Sequence, residues 1–303
     1  MYRGLIIQSF IILLVLFHAL LLASCQKQII EVDVVQVEPF KLQKSWLDSL
    51  CSRTFAGRKV GTEGNKLAAQ YIEDEVRSMG YSPVLQRFEH KTGDRLTNIL
   101  VEIEGTKDSL IIIGAHFDGQ NESTESLHYP AANDNASGVV TILSILESLS
   151  RRESSVKLPY TIICAFWDGE ESCVSPAFKG SSYFVSTFER LKETVIYANI
   201  DAIGHNHENR LFIGYYGNER VELLVESIKE KWNLNYETKH REKGEGASDY
   251  YSFSKVGISN ISFSDPVFSC KNPIHSTLDN SSAISFERID AIKDIALSIC
   301  LNY

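Results

Sequence analysis

Seven side chains able to bind a metal or move a proton recur close to the ends of apolar runs: His116 with Asp118, Asp134, the adjacent Glu170 and Glu171, Asp201, and later His275. The run Leu110 to Gly114 stops at Ala115-His116-Phe117-Asp118, Thr161 to Trp167 stops at Asp168-Gly169-Glu170-Glu171, and Val195 to Ile200 stops at Asp201. In an α/β sheet the carboxyl ends of parallel strands share one edge, where ligand sites collect. Residues far apart in sequence are therefore expected to converge into one polar cluster.

Each motif alone has an ordinary explanation. His116 and Asp118, two apart at a strand end, point the same way in extended geometry, so a histidine could bind metal through one nitrogen while a carboxylate holds the other. A His-x-Asp triplet is equally at home in a solvated loop. Asp134, in Asn133-Asp134-Asn135-Ala136-Ser137-Gly138, is either a helix cap or a carboxylate bridging two cations. Glu170 and Glu171 are either a surface acidic pair or like charges that a cation or proton must compensate, one as ligand and the other as acceptor of a proton from water. Asp201 and His275 complete a nitrogen and oxygen donor set suited to paired divalent ions, zinc foremost.

The elements that position these residues alternate. Helical spacing covers Lys66 to Met79, stopped by Gly80, and recurs over Gly138 to Leu149, Ser181 to Leu191, Glu219 to Trp232 and Ser285 to Leu301. Strands are predicted at Val84 to Phe88, Asn98 to Ile103, Leu110 to Gly114, Thr161 to Trp167, Val195 to Ile200 and Ile258 to Phe263, with a turn around Gly93-Asp94. Strands separated by helices imply crossovers and a three-layer α/β/α fold on a mixed, mainly parallel central sheet. Gln120 to Tyr129 and Lys239 to Ala247 read as polar loops walling the active edge. His205 and His207 either rim that pocket or lie in a solvated loop.

The amino terminus reads differently. Arg3, an apolar stretch from Leu5 to Leu22 and the small residues before Cys25 describe an export signal, with a retained membrane anchor as the competing reading. Leu22-Ala23-Ser24-Cys25 resembles a bacterial lipobox. That likeness implies a lipoprotein signal peptide over 1–24, lipidation of Cys25, a tether over 25–40 and one catalytic domain over 41–303. Gln26, in place of aspartate, implies the outer membrane, facing periplasm or surface. The chain is 44% hydrophobic with formal net charge -9, which argues against disorder and against nucleic acid as a main partner. Five cysteines besides Cys25 form no close pair of zinc-finger type. Export permits disulfides, and Cys173 with Cys270 or Cys51 with Cys300 are the candidate pairs, Cys164 being a core residue.

Together, the His-x-Asp, Asn-Asp-Asn-Ala-Ser-Gly, Gly-Glu-Glu, Asn-Ile-Asp and His-Ser-Thr-Leu-Asp segments resemble those of the zinc aminopeptidase family that contains bacterial leucyl aminopeptidases, with glutamate carboxypeptidases and glutaminyl cyclases as relatives. Gly57 to Thr62 and Ser248 to Phe253 resemble further family segments. The resemblance implies a dizinc aminopeptidase acting on peptides with a free amino terminus. It puts His116 and Asp201 on one zinc and Glu171 and His275 on the other, with Asp134 between them. Glu170 would be general base and acid, and Asp118 the partner of His116.

Ser172 to Lys179, longer than the usual aminopeptidase turn before Gly180-Ser181, resembles instead the glutaminyl cyclase branch. That branch implies a single zinc on Asp134, Glu171 and His275. Ile274, where cyclases commonly carry tryptophan, favours the peptidase. A lipid-anchored binding protein that has lost catalysis is the third reading.

Overall fold

The computed structural model describes residues 38–90, 93, 95–152, 157–171, 178–205, 209–266 and 273–303. The export signal, Cys25 and the tether as far as residue 37 lie outside the described residues, as do Asp94, Cys173, His207 and Cys270. No helix among the described residues is long and apolar enough to cross a membrane. The unit treated below runs from Phe40 to Tyr303.

Its centre is an eight-stranded sheet: β1 Val84–Glu89, β2 Arg95–Ile103, β3 Gly105–His116, β4 Leu158–Trp167, β5 Thr194–Ile200, β6 Arg210–Tyr216, β7 Asn235–His240 and β8 Asn260–Ser264. The spatial order is β1-β2-β4-β3-β5-β8-β6-β7. The four central strands, β4, β3, β5 and β8, run parallel, whereas β2 joins β4 and β6 joins β8 in antiparallel fashion. The sheet is thus mixed, with its parallel part in the middle.

Because strand side chains alternate, each apolar run serves two cores. Ile111 and Ile113 of β3, with Ile162, Cys164 and Phe166 of β4, face one side. Leu110, Ile112, Ile163, Ala165 and Trp167 face the other. Five helices cover the first side: α1 Lys41–Leu50, α2 Glu63–Ser78, α3 Ser137–Ser150, α5 Glu219–Lys231 and α7 Phe286–Asn302. The second is covered by α4 Lys179–Thr187 and α6 Tyr250–Lys255, through Phe184 and Phe253 packed around Trp167. α3 is apolar nearly all round and correspondingly buried along most of its length.

Several expectations change. The helix expected over Ser181 to Leu191 is α4, which ends at Thr187 and is followed by a single 3-10 turn at Leu191–Glu193. Lys239 to Ala247 is not a loop throughout, since Lys239 and His240 close the edge strand β7. Strands β6 and β7 and helix α1 extend the sequence reading. Asp134 does not cap α3: the helix has Ala136 as its N-cap without a side-chain bond, and a kinked turn over Ala132–Ala136 carries Asp134 instead. Cys51 and Cys300 are not bridged. Cys51, Cys164 and Cys300 are buried free thiols, with Cys51 at the end of α1 and Cys300 on α7, a helix packed against the strand of Cys164.

One buried cation organises the loops at the carboxyl edge. Arg58 is wholly buried and spends its guanidinium on main-chain carbonyls, donating from Nε to Phe117 O (2.8 Å), from Nη1 to Leu50 O (2.6 Å) and Pro130 O (2.9 Å), and from Nη2 to Ala131 O (2.8 Å). It thereby ties the end of α1 to both flanks of the segment between Asp118 and Asp134. Removing it strands the buried carbonyls of Phe117, Leu50 and Pro130, each costly to leave unpaired, and leaves that of Ala131 with Ala136 N alone. Arg58→Met is expected to lower the unfolding free energy by about 4 kcal/mol in urea denaturation, and a loss below about 1 kcal/mol would show that these bonds do not hold the loops.

Candidate metal centre

β3, β4 and β5 end side by side, and their ends carry the acid cluster. His116 is the last residue of β3, Glu170 and Glu171 follow β4 after Asp168 and Gly169, and Asp201 follows β5 directly. Gly169 has φ +82°, a conformation that favours glycine, and this turn brings the two glutamates over the sheet edge. His275 and Asp134 arrive on loops.

The seven expected residues meet at one place. His116 Nε2 lies 3.2 Å from Asp201 Oδ1 and 3.3 Å from Asp134 Oδ1. His275 Nε2 lies 2.9 Å from Asp134 Oδ2 and 3.0 Å from Glu171 Oε1. Asp134 therefore presents one oxygen to each histidine. Two sets of ligand atoms result, His116 with Asp134 and Asp201, and Asp134 with Glu171 and His275, each set within 4.8 Å. Glu170 Oε2 stands 4.0 Å from His116 Nε2, beside the first set rather than within it.

Asp118 does more than face His116. Its Oδ1 lies 3.6 Å from His116 Nδ1, whose nearer partner is the Asp118 carbonyl oxygen at 3.2 Å. The carboxylate also accepts main-chain hydrogen bonds from Glu170 N and Glu171 N, both 3.0 Å. Wholly buried, Asp118 fixes the glutamate pair and the histidine at once.

Three positioning residues, and one further buried carboxylate, were not given a role from the sequence. Asp279 accepts from Asn133 N (2.7 Å) and Asp134 N (3.1 Å), holding the loop that presents Asp134. Asn135 donates to Ile200 O (2.9 Å) and accepts from Gly138 N and Ala202 N, locking that loop to the end of β5. Ser248 donates to Asp201 Oδ2 at 2.6 Å. Asp249 is buried close by, its carboxyl pushed up to about 7 chiefly by burial. All four stand in segments that carry the family resemblance, Asp279 in His-Ser-Thr-Leu-Asp, Asn135 in Asn-Asp-Asn-Ala-Ser-Gly, and Ser248 and Asp249 in Ser248 to Phe253, and that was the signal available. His205 uses its main-chain N–H on Asp265 Oδ2 (2.7 Å).

Without a cation the cluster is electrostatically poised. Burial pushes Glu170 well above the usual carboxylate range, and Asp201, Asp249 and Glu171 add to this against the pull of His116. Burial and Asp134 push Glu171 up to about 8. The carboxylates of Asp134 and Glu171, 2.9 and 3.0 Å from its Nε2, raise His275 to about 10. Burial opposes ionisation of Asp134, yet His116 and His275 hold its pKa well below the ordinary value. Glu171 Oε1, though 3.0 Å from His275 Nε2, lacks the alignment of a hydrogen bond and is a buried acceptor without one. Crowded carboxylates with two imidazoles turned toward them are a donor set that divalent cations would reconcile by displacing the ring protons.

Residues 98–300 match the profile described as Peptidase family M28. The chain belongs to that family. Among curated relatives, leucine aminopeptidase 1 of Neurospora crassa is 26% identical over 247 residues, covering 76% of this chain and 59% of the relative. The chain thus spans less than two thirds of that relative's length. The M28 fold is shared with a Bacillus subtilis zinc aminopeptidase at TM-score 0.70, 16% identity and coverage of 85% of this chain and 94% of that one. It is shared also with the Porphyromonas gingivalis glutaminyl cyclase at TM-score 0.67, 16% identity and coverage of 84% and 95%.

The raised groups set a pH dependence. A group whose pKa is higher folded than unfolded stabilises the fold when protonated, and that stability is lost as pH rises through the folded value. For Glu171 the window runs from its ordinary 4.5 to about 8, and for His275 from 6.5 to about 10. Chelator-treated protein is therefore expected to lose melting temperature steadily from about pH 6 to 9, and saturating divalent cation to flatten that decline. Superimposable profiles with and without cation would contradict cation binding at this cluster.

Proposed function

We propose that this M28 chain is a zinc-dependent aminopeptidase that hydrolyses the first peptide bond of peptides with a free amino terminus. The observation that carries this reading is Asp134 facing both His116 and His275, which gives two complete donor sets sharing one carboxylate. Mixed imidazole and carboxylate ligands suit zinc. His116, Asp134 and Asp201 would hold one ion, and Asp134, Glu171 and His275 a second. When bound, zinc supplies Lewis-acid polarisation of the scissile carbonyl and a lowered pKa for water at the site.

The chain's own groups do the rest. Glu170 is buried beside the cluster but outside both donor sets, the place for a carboxylate that takes a proton from the attacking water and returns it to the departing nitrogen. Asp118 fixes Glu170 through the main chain and keeps His116 oriented. A cavity of about 590 Å³ adjoins the cluster and is lined by Asp134, Glu170, Glu171, Asp201 and His275 at one end. Its size is that of a small-ligand site.

The single-zinc cyclase is the competing reading, and the integrity of the His116 set favours the peptidase. Metal analysis is expected to give about two zinc per chain, with Glu170→Gln keeping the metal and losing about 10²- to 10⁴-fold in kcat for aminoacyl anilides. One zinc with ammonia released from amino-terminal glutamine would establish the cyclase, and cleavage of amino-blocked peptides would sink the aminopeptidase.

We further propose that lipidated Cys25 tethers the enzyme to the bacterial envelope, a reading supported by the lipobox-like Leu22-Ala23-Ser24-Cys25. Cys25→Ala is expected to move the protein out of the membrane fraction into the soluble one. Unchanged membrane partitioning of the variant would refute lipidation at that residue.

A further inference from the structure

The cavity beside the cluster is lined by a buried guanidinium that the hydrolytic reading leaves unused. Arg241, just after β7 and only 6% exposed, lines it together with Phe212, Tyr250 and Ser262. Its guanidinium lies over the Tyr250 ring, 3.8 Å from the centroid, and donates from Nη1 to Ser262 Oγ at 2.8 Å. The place is built for it. Gly214 pairs with Ser262 across β6 and β8, and a Cβ at Gly214 would sit 2.0 Å from Arg241 Cζ. A glycine in the middle of a strand, which weakens the strand, here gives passage to a charged side chain.

What Arg241 lacks is a counter-charge. No carboxylate among the described residues lies within ion-pair distance of it. Glu245, the carboxylate it senses most, is only partly exposed and is paired with Lys239. Glu237 on the same wall is paired with Arg210. Asp265, also on the wall, is 2% exposed and accepts from His205 N and Asn133 Nδ2. A guanidinium has five N–H donors in a planar fork matched to carboxylate. One nitrogen is engaged here, and the cavity adjoins the rest.

We propose that Arg241 recognises a carboxylate on the side chain of the substrate's first residue, so that the pocket selects amino-terminal glutamate or aspartate. The inference rests on the aminopeptidase reading. With the first carbonyl and free amino group held at the cluster, the first side chain is the part of the substrate that enters the remaining cavity, while the leaving peptide, of any length, must run to solvent. A partly buried charge-assisted pair contributes more than a neutral hydrogen bond.

The test compares isosteric pairs on the zinc-loaded enzyme: glutamyl against glutaminyl anilide, and aspartyl against asparaginyl, with leucyl anilide as reference. Wild type is expected to favour the acidic member by about 10- to 100-fold in kcat/KM. Arg241→Gln is expected to bring the ratio to about one, with Arg241→Lys between them. Because the ratio is internal to each protein, partial misfolding of a variant does not affect it. As a binding readout, free glutamate is expected to raise the melting temperature of wild type more than glutamine does, and to lose that advantage in Arg241→Gln.

A wild-type ratio near one, or an acidic preference that survives Arg241→Gln, would overturn the assignment. Leucyl-glycine favoured over its amide in an Arg241-dependent way, with no glutamyl preference, would overturn it too, by making the carboxylate that of a dipeptide terminus. Hydrolysis of leucyl anilide without acidic preference removes this inference alone, whereas failure on every aminoacyl substrate removes the aminopeptidase reading and this inference with it.

Discussion

The structure depends on one electrostatic constraint: Asp118, Asp134, Glu170, Glu171, Asp201 and Asp249 are gathered at a single sheet edge with two histidines as their nearest titratable partners. Burying like charges together is unfavourable unless hydrogen bonds, protons or cations compensate. The fold answers with main-chain donors and fixed dipoles. Asp118 is satisfied by two N–H groups of the glutamate turn, Asp201 by Ser248, and the Asp134 loop by Asp279 and Asn135. Those bonds fix positions but leave net negative charge, and that residue of charge is what the two donor sets offer to metal.

The same constraint explains the placement of the loops. Asp134 must approach two histidines that come from opposite ends of the sequence, so its loop cannot be an ordinary helix start. The kink over Ala132–Ala136, the cis bond between Asp134 and Asn135 and the left-handed Ala131 occur in that segment. Arg58 carries the adjoining carbonyls of Pro130 and Ala131 and also that of Phe117. A single buried cation thus couples the loops that hold Asp118 and Asp134 without itself lining the cavity beside them.

Much of this was legible in the sequence because strand ends and apolar runs coincide. His116, Glu170, Glu171 and Asp201 stand at or just after the ends of buried strand segments, where a polar residue has little structural reason to stand. The central parallel strands announced themselves as unbroken apolar runs. β7 did not, because Asn235–His240 lies at a sheet edge, half or fully exposed, and carries no apolar period. Asp279 and Asn135 were invisible as positioning groups for a different reason: their partners are main-chain atoms up to 146 residues away in sequence, and no residue type announces such a bond. The free Cys51 and Cys300 mark the same limit, since cysteine count says nothing about which helix a thiol faces.

That two cations share Asp134 is the claim on which the rest stands. Anomalous diffraction from crystals of the zinc-loaded protein, recorded on both sides of the zinc absorption edge, addresses it directly. Two peaks are expected, one among His116, Asp134 and Asp201 and one among Asp134, Glu171 and His275. A single peak, or zinc bound elsewhere with Asp134 uncoordinated, would contradict it.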